Sequence, residues 1–160
     1  MKTIIIFATK HGSVENAARL LKTKLGEHVD LVNLAKETRP SIEEYDTVIL
    51  GGSIYAGNIQ KSLTKYIGES LPQLLQKNVG LFICAAEPDS QTRLKELTGS
   101  FPPELYHHAK AKDILGYEIH YSKMNFFEKM IVRSLMKIKS DHSALSIENI
   151  DDFAKFLKAG

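Results

Sequence analysis

Residues 9–13 read Thr-Lys-His-Gly-Ser, so two hydroxyls, an ammonium, an imidazole and a glycine fall within five positions. Such a stretch suits a phosphate group. Glycine lets backbone amides come close, Thr9 and Ser13 can donate through their hydroxyls, and a helix starting at Val14 would point unpaired N–H groups at the loop. A helix N-terminus favours a nearby negative charge by about 0.3–1 kcal/mol, and each charge-assisted hydrogen bond adds roughly 1.5–3 kcal/mol. The same residues also make an ordinary helix start, with Ser13 as cap and Gly12 as turn. The stretch has neither the Walker lysine spacing nor a G-x-G-x-x-G pattern, which excludes an ATPase loop and a dinucleotide fingerprint.

A second stretch, GGSIYAGNIQKSL from Gly51, carries three glycines, Ser53 and the aromatic Tyr55, and enters a helix near Ile59. Two loops of this kind meet only if the elements beneath them are arranged to bring them together. Short apolar runs rich in Ile, Val and Phe occur at 3–8, 48–50 and 79–86 and read as strands buried on both faces. Between them, Val14, Ala17, Ala18, Leu21 and Leu25, then Leu63, Tyr66, Ile67 and Leu71, recur with helical spacing. Weaker strands are expected at 29–34 and 114–121, and helices at 91–97 and 147–157. The alternation is that of an α/β chain with five parallel strands and covering helices. In the strand order 2-1-3-4-5, the loops after strands one and three lie side by side where the winding reverses, the place where open parallel sheets bind ligands.

Proline and polar turns mark 38–46 and 99–113 as loops or irregular crossings. Residues 121–141, YSKMNFFEKMIVRSLMKIKSD, exceed what five strands need. As one helix they would align Phe127, Met130, Ile131, Leu135 and Ile138 on one side and Lys129, Arg133 and Lys137 in a row on another.

The 160 residues, 43% apolar and 25% charged, have the composition of one soluble globular domain spanning 1–160. A formal net charge of +2 does not mark a nucleic-acid binder. The charge is local instead: between 121 and 140, Lys123, Lys129, Arg133, Lys137 and Lys139 face a single acid, Glu128. The lone Cys84, inside VGLFICAA, reads as a core residue without a disulfide partner, which fits a reducing, cytoplasmic setting. The opening MKTIIIFATK is too short for a secretory signal or a membrane span. His107 and His108 lack metal-ligand spacing, and no metal is expected.

With its hydroxyl-rich turn at 9–14 and glycine-aromatic loop at 52–58, the chain resembles the flavodoxin family across nearly its whole length. More specifically, MKTIIIFATKHGSVENAA, YDTVILGGSIYAGNIQKSL and FFEKMIVRSLMKI look like the flavodoxin-like menaquinone-dependent protoporphyrinogen dehydrogenases and their uncharacterised relatives. The third segment is the most distinctive, because ordinary flavodoxins do not carry it there. The resemblance implies a three-layer α/β/α sandwich and noncovalent FMN. Its phosphate would be held by Thr9, Lys10, His11, Gly12, Ser13 and the amide of Val14. Such families usually place a third hydroxyl where this chain has Val14; charge on Lys10 or His11 would compensate. For the ring, the resemblance implies Ser53, Ile54, Tyr55, Ala56 and Gly57, with Tyr55 stacking and Gly57 allowing a peptide flip toward the reduced flavin. Ala85, Ala86 and Glu87 would complete the seat, Glu87 being the acid able to tune the potential.

Two functions follow from this, and a third reading drops the flavin. The simplest is an electron carrier passing electrons between a redox partner protein or quinone and an acceptor. The alternative is an enzyme, a dehydrogenase taking reducing equivalents from protoporphyrinogen and giving them to menaquinone, with 121–141 over the flavin edge meeting substrate or a membrane surface. A receiver-like signalling domain shares the strand order but needs acids after strand one, where this chain has Ala8 and Thr9.

Overall fold

The structure, a computed structural model, describes residues 1–9, 12–137 and 139–159. The first strand, β1 (Thr3–Ala8), is buried along its whole length. It is followed by α1 (Ser13–Leu25), β2 (Val29–Asn33), β3 (Thr47–Ser53), α2 (Lys61–Leu74) and β4 (Asn78–Cys84). Then come α3 (Ser90–Gly99), α4 (Pro103–His108), β5 (Ala111–Ile114), β6 (Gly116–Ile119), α5 (Phe126–Met136), β7 (His142–Leu145) and α6 (Ile147–Lys158). Five strands form a parallel sheet in the order β2-β1-β3-β4-β5, the expected winding.

Period-two alternation divides β1 between two cores. Ile4, Ile6 and Ala8 face a cluster with Leu63, Tyr66 and Ile67 of α2, Leu97 of α3 and Leu105 of α4. Ile5 and Phe7 face the opposite cluster, with Val14, Ala17, Ala18 and Leu21 of α1 and Ile150, Phe153, Ala154 and Leu157 of α6. Helices therefore cover both sides, and the chain changes sides between β1 and β3.

Two strand glycines serve the packing. Gly51 of β3 pairs with Phe82 of β4, and a Cβ at Gly51 would lie 2.0 Å from Phe82 Cζ. The Phe82 ring meets Phe153 edge-on, centroids 6.0 Å apart, while a Cβ at Gly80 would lie 2.8 Å from Phe153 Cζ. Glycine weakens a strand by its backbone entropy, but here it makes room for two aromatic rings in a layer one side chain deep.

The structure corrects the sequence reading in three places. The strand expected at 114–121 shares only Ile114 with β5, whose residues 111–113 lie in the stretch read as loop; the rest forms β6 from Gly116, where φ is +90° and any Cβ would collide with Ala144 O at 2.3 Å. That left-handed residue turns the chain out of the parallel sheet, and β6 pairs antiparallel with β7. Within the stretch read as loop, residues 103–108 form α4, because Pro102 and Pro103 occupy positions at a helix start that have no N–H to lose. The segment 121–141 is not one helix. Tyr121–Lys123 forms a 3-10 turn, and Asn125 and Glu128 then close a capping box that starts α5 afresh. Lys137, at φ +56°, ends α5, so the expected basic row stops there, and Ile138 lies outside the described residues.

Cys84 is buried, and burial, reinforced by the negative charge of Glu118, pushes its thiol up to about 12. The thiol stays protonated and unreactive at neutral pH, as a core residue should.

Gly51→Ala is expected to lower stability by about 3 kcal/mol, the upper end of overpacking costs, because Phe82 must move. Gly68→Ala, at an open position inside α2 with nothing within 4 Å, should raise it by about 0.5–1 kcal/mol. Urea unfolding of the two variants checks both signs. A thiol reagent at pH 8 should leave Cys84 unmodified in the folded protein and label it fully once urea unfolds the chain; labelling at the rate of a free thiol would contradict its protected state.

Candidate functional site

Three loops leave the sheet at one level. Ala8 of β1 pairs with Gly52 of β3, and Ser53 pairs with Cys84 of β4, so the loops after β1, β3 and β4 start from adjacent strands about 4.8 Å apart. β2 lies on the other side of β1, which puts the winding reversal between β1 and β3.

Thr9 is buried at the base of the first loop. Its N–H donates to Asn33 Oδ1 at 3.4 Å, and its Oγ1 accepts from the Gly12 N–H at 3.1 Å. Gly12 is left-handed, φ +84° and ψ 0°, and is the N-cap of α1; its carbonyl accepts the first helical bond, from Asn16 N at 3.4 Å. The helix thus begins at Ser13, one residue earlier than expected. By helix geometry the amides of Ser13, Val14 and Glu15 have no acceptor in the turn before them. The Val14 side chain is fully buried in the core, so its contribution to a ligand is its amide alone. Lys10 and His11 lie outside the described residues.

The second loop is a tight hairpin. Tyr55 N donates to Asn58 O at 2.9 Å, Asn58 N donates back to Tyr55 O at 3.2 Å, and Ala56 and Gly57 between them have φ of +51° and +82°. Positive φ at both central residues is the signature of a type I′ turn, which costs Ala56 about 1 kcal/mol of strain. Gln60 fixes the hairpin to the sheet: its Oε1 accepts from Ser53 N at 3.3 Å and its Nε2 donates to Ser53 O at 3.1 Å. Ile54 N donates to Cys84 O, and its side chain packs on the core. Tyr55 is left 46% exposed, with its ring available to a ligand.

In the third loop, Ala85 is buried and donates to Gly116 O at 3.0 Å. Ala86 and Glu87 are half-buried. Glu87 Oε1 accepts from Asp89 N at 3.1 Å, and Arg93 Nη1 donates to the carbonyls of Glu87 and Pro88 at 2.7 and 3.0 Å. Asp89 caps α3 through Thr92, and those hydrogen bonds hold its carboxyl below the usual range. Glu87 is therefore tied into its own turn rather than free in solvent.

The structure adds a residue that the sequence reading left out. The end of β6 hooks onto the first turn of α1 through Asn16 Nδ2 and Glu118 Oε1 at 2.8 Å, and Glu118 Oε2 accepts from Ser143 of β7 at 2.8 Å. Beyond β6, Ser122 N and Oγ donate to the Asp141 carboxylate at 2.8 and 3.0 Å. Held this way, the 3-10 turn puts Lys123 Nζ 3.9 Å from where a Cβ on Gly12 would be. No local pattern could have paired these residues; the only signal was the basic excess of 121–141.

These loops suit a phosphate ester carrying an aromatic ring system. Among the described residues nothing meets the Cβ position of Gly12 more closely than that ammonium, so a left-handed residue at the head of a helix is bordered by a cation. Among the described residues, no group of three His, Cys, Asp or Glu side chains is placed to hold a metal ion.

Known proteins are similar to the chain over most of its length. It is 21% identical over 148 residues to the protoporphyrinogen IX dehydrogenase [quinone] of Escherichia coli K12, covering 86% of this chain and 80% of that one. The Streptococcus pneumoniae TIGR4 flavodoxin superposes with a TM-score of 0.60 at 18% identity, covering 99% of each chain. A Fusobacterium nucleatum flavodoxin variant bound to flavin mononucleotide superposes with a TM-score of 0.54 at 17% identity, covering 99% of this chain and 96% of that one. The flavodoxin domain family model matches residues 4–146, and with the sheet order and the three level loops this establishes that the chain belongs to the flavodoxin domain family.

Proposed function

We propose that the protein binds FMN noncovalently at the carboxyl ends of β1, β3 and β4 and works as an electron carrier between a redox partner protein or quinone and an acceptor. The observation that supports this most is the left-handed Gly12 heading α1 beside the level end of β3. Thr9 and the amides of Ser13 and Val14 hold the phosphate; Ser53 to Gly57, with Tyr55 foremost, and Ala85 to Glu87 hold the ring. Bound there, the flavin supplies one- and two-electron transfer. Glu87, half-buried beside the ring's seat, disfavours added negative charge and so lowers the potential. Gly57 gives its turn the freedom to reorient a carbonyl.

A second reading makes the same flavin site a protoporphyrinogen dehydrogenase with menaquinone as acceptor. It draws on the Escherichia coli relative and on α5, which follows Lys123 and exposes Phe126, Phe127, Met130 and Ile131, Phe127 at 75%. Exposed apolar side chains in such density mark a contact surface. Here they would meet the apolar substrate or a membrane surface holding the quinone, with Arg133 toward anionic groups. Among the described residues no helix is long and apolar enough to cross a membrane, so any such contact is peripheral.

Purified protein mixed with FMN at micromolar concentration should show the shifted absorbance of bound flavin; no binding would end both readings. Gly12→Asp should weaken FMN by about a hundredfold or more, since it sets a carboxylate against phosphate and removes at least one charge-assisted bond. Gly26→Asp, which shares the positive φ but lies at the far end of α1, should leave affinity unchanged. Anaerobic mixing with protoporphyrinogen and a menaquinone analogue separates carrier from enzyme. Bleaching of the flavin in the intact protein, lost in Phe126→Ser/Phe127→Ser/Met130→Ser, supports the enzyme; no bleaching leaves the carrier.

A further inference from the structure

Lys123 is an exposed residue of the 3-10 turn between β6 and α5, and it forms no ion pair with another described residue. Its ammonium nevertheless sits 3.9 Å from the Cβ position of Gly12, whose left-handed backbone disfavours a side chain there. The nearby carboxylate of Asp141 accepts from Ser122 at both oxygens, which anchors the turn, and its charge is felt by Lys123 without a direct ion pair between the two. The side chain of Val14, apolar and buried in the core, adds no donor to the first loop. From these placements we infer that Lys123 binds the ligand's phosphate, supplied across the sequence by the segment that interrupts β6 and α6.

This rests on the FMN reading and deepens it by making the inserted segment part of the cofactor site. The loop amides and the dipole of α1 meet a phosphate from the helix side. A lysine brings a compact charge with three donors on a flexible stem, and it reaches the phosphate oxygens left facing solvent. The β6–β7 pairing, the Asn16–Glu118 bond and the Ser122–Asp141 bonds together hold the turn against the start of α1. Lys123 therefore distinguishes a phosphorylated flavin from its dephosphorylated form.

The test is fluorescence titration of the flavin-free protein with FMN and with riboflavin, at low and high salt. Lys123→Met should weaken FMN about tenfold, a charge-assisted bond reduced by solvent screening, while leaving riboflavin unchanged and flattening the salt dependence. Lys123→Arg should recover most of the FMN affinity. Lys22→Met, which removes the same charge from the last turn of α1, should change neither ligand. Circular dichroism confirms that each variant is folded. An unchanged ratio of FMN to riboflavin affinity in Lys123→Met, or an equal loss for both, overturns the inference while the flavin site stands. Failure of the wild-type chain to bind either flavin removes the site itself and this inference with it.

Discussion

Parallel register is the constraint on which the site depends. Ala8, Gly52 and Ile83 lie in one row across β1, β3 and β4, and the next residue of each strand starts a loop or ends the sheet. Hydrogen bonds along those strands are buried on both faces and cannot be exchanged for water, so the row cannot slip without disrupting the packing of Ile, Leu and Phe side chains in both cores. The loops inherit that rigidity. Each is then pinned by one side chain on its own element or the next: Thr9 to Gly12, Gln60 to Ser53, Arg93 to Glu87 and Pro88. The binding surface is assembled from main chain held by a sheet, with few side chains needed to shape it.

That economy explains how far the sequence could be read. Strands buried on both faces leave continuous apolar runs, and helices packed on them leave a 3.6-residue stripe; both signals survive in β1, β3, β4, α1, α2 and α6. The parallel strands and the loops after β1 and β3 followed from them, while the roles given to Tyr55 and Glu87 came from the resemblance to flavodoxins. The failures share a cause. At Gly116, at Pro103 and at Asn125 a single residue changes the backbone direction, and an average over a window of residues cannot register that. The Asn125–Glu128 capping box was legible as letters, but it lay inside a periodic pattern that drew the helix through it.

The contribution of Lys123 was hidden for a different reason. Its position depends on β6 pairing with β7 and on Glu118 reaching α1, contacts between residues up to 102 positions apart in the chain. Composition flagged a basic segment, yet the row of Lys129, Arg133 and Lys137 suggested by a long helix is interrupted by the turn at Lys137, while Lys123, outside the helix altogether, comes to rest on the first loop. Tertiary contacts of this range leave no periodic trace.

The packing of α6 against α1 joins two helices that lie far apart in the chain. Phe153 and Leu157 complete the core that buries Ala17, Ala18 and Leu21. Without them the inner side of α1 would lose apolar cover, and the helix headed by Gly12 would lose part of its support. A substitution that loosens α6 would therefore be transmitted along α1 to the loop at its tip, a long-distance sensitivity that the loop's own residues do not reveal.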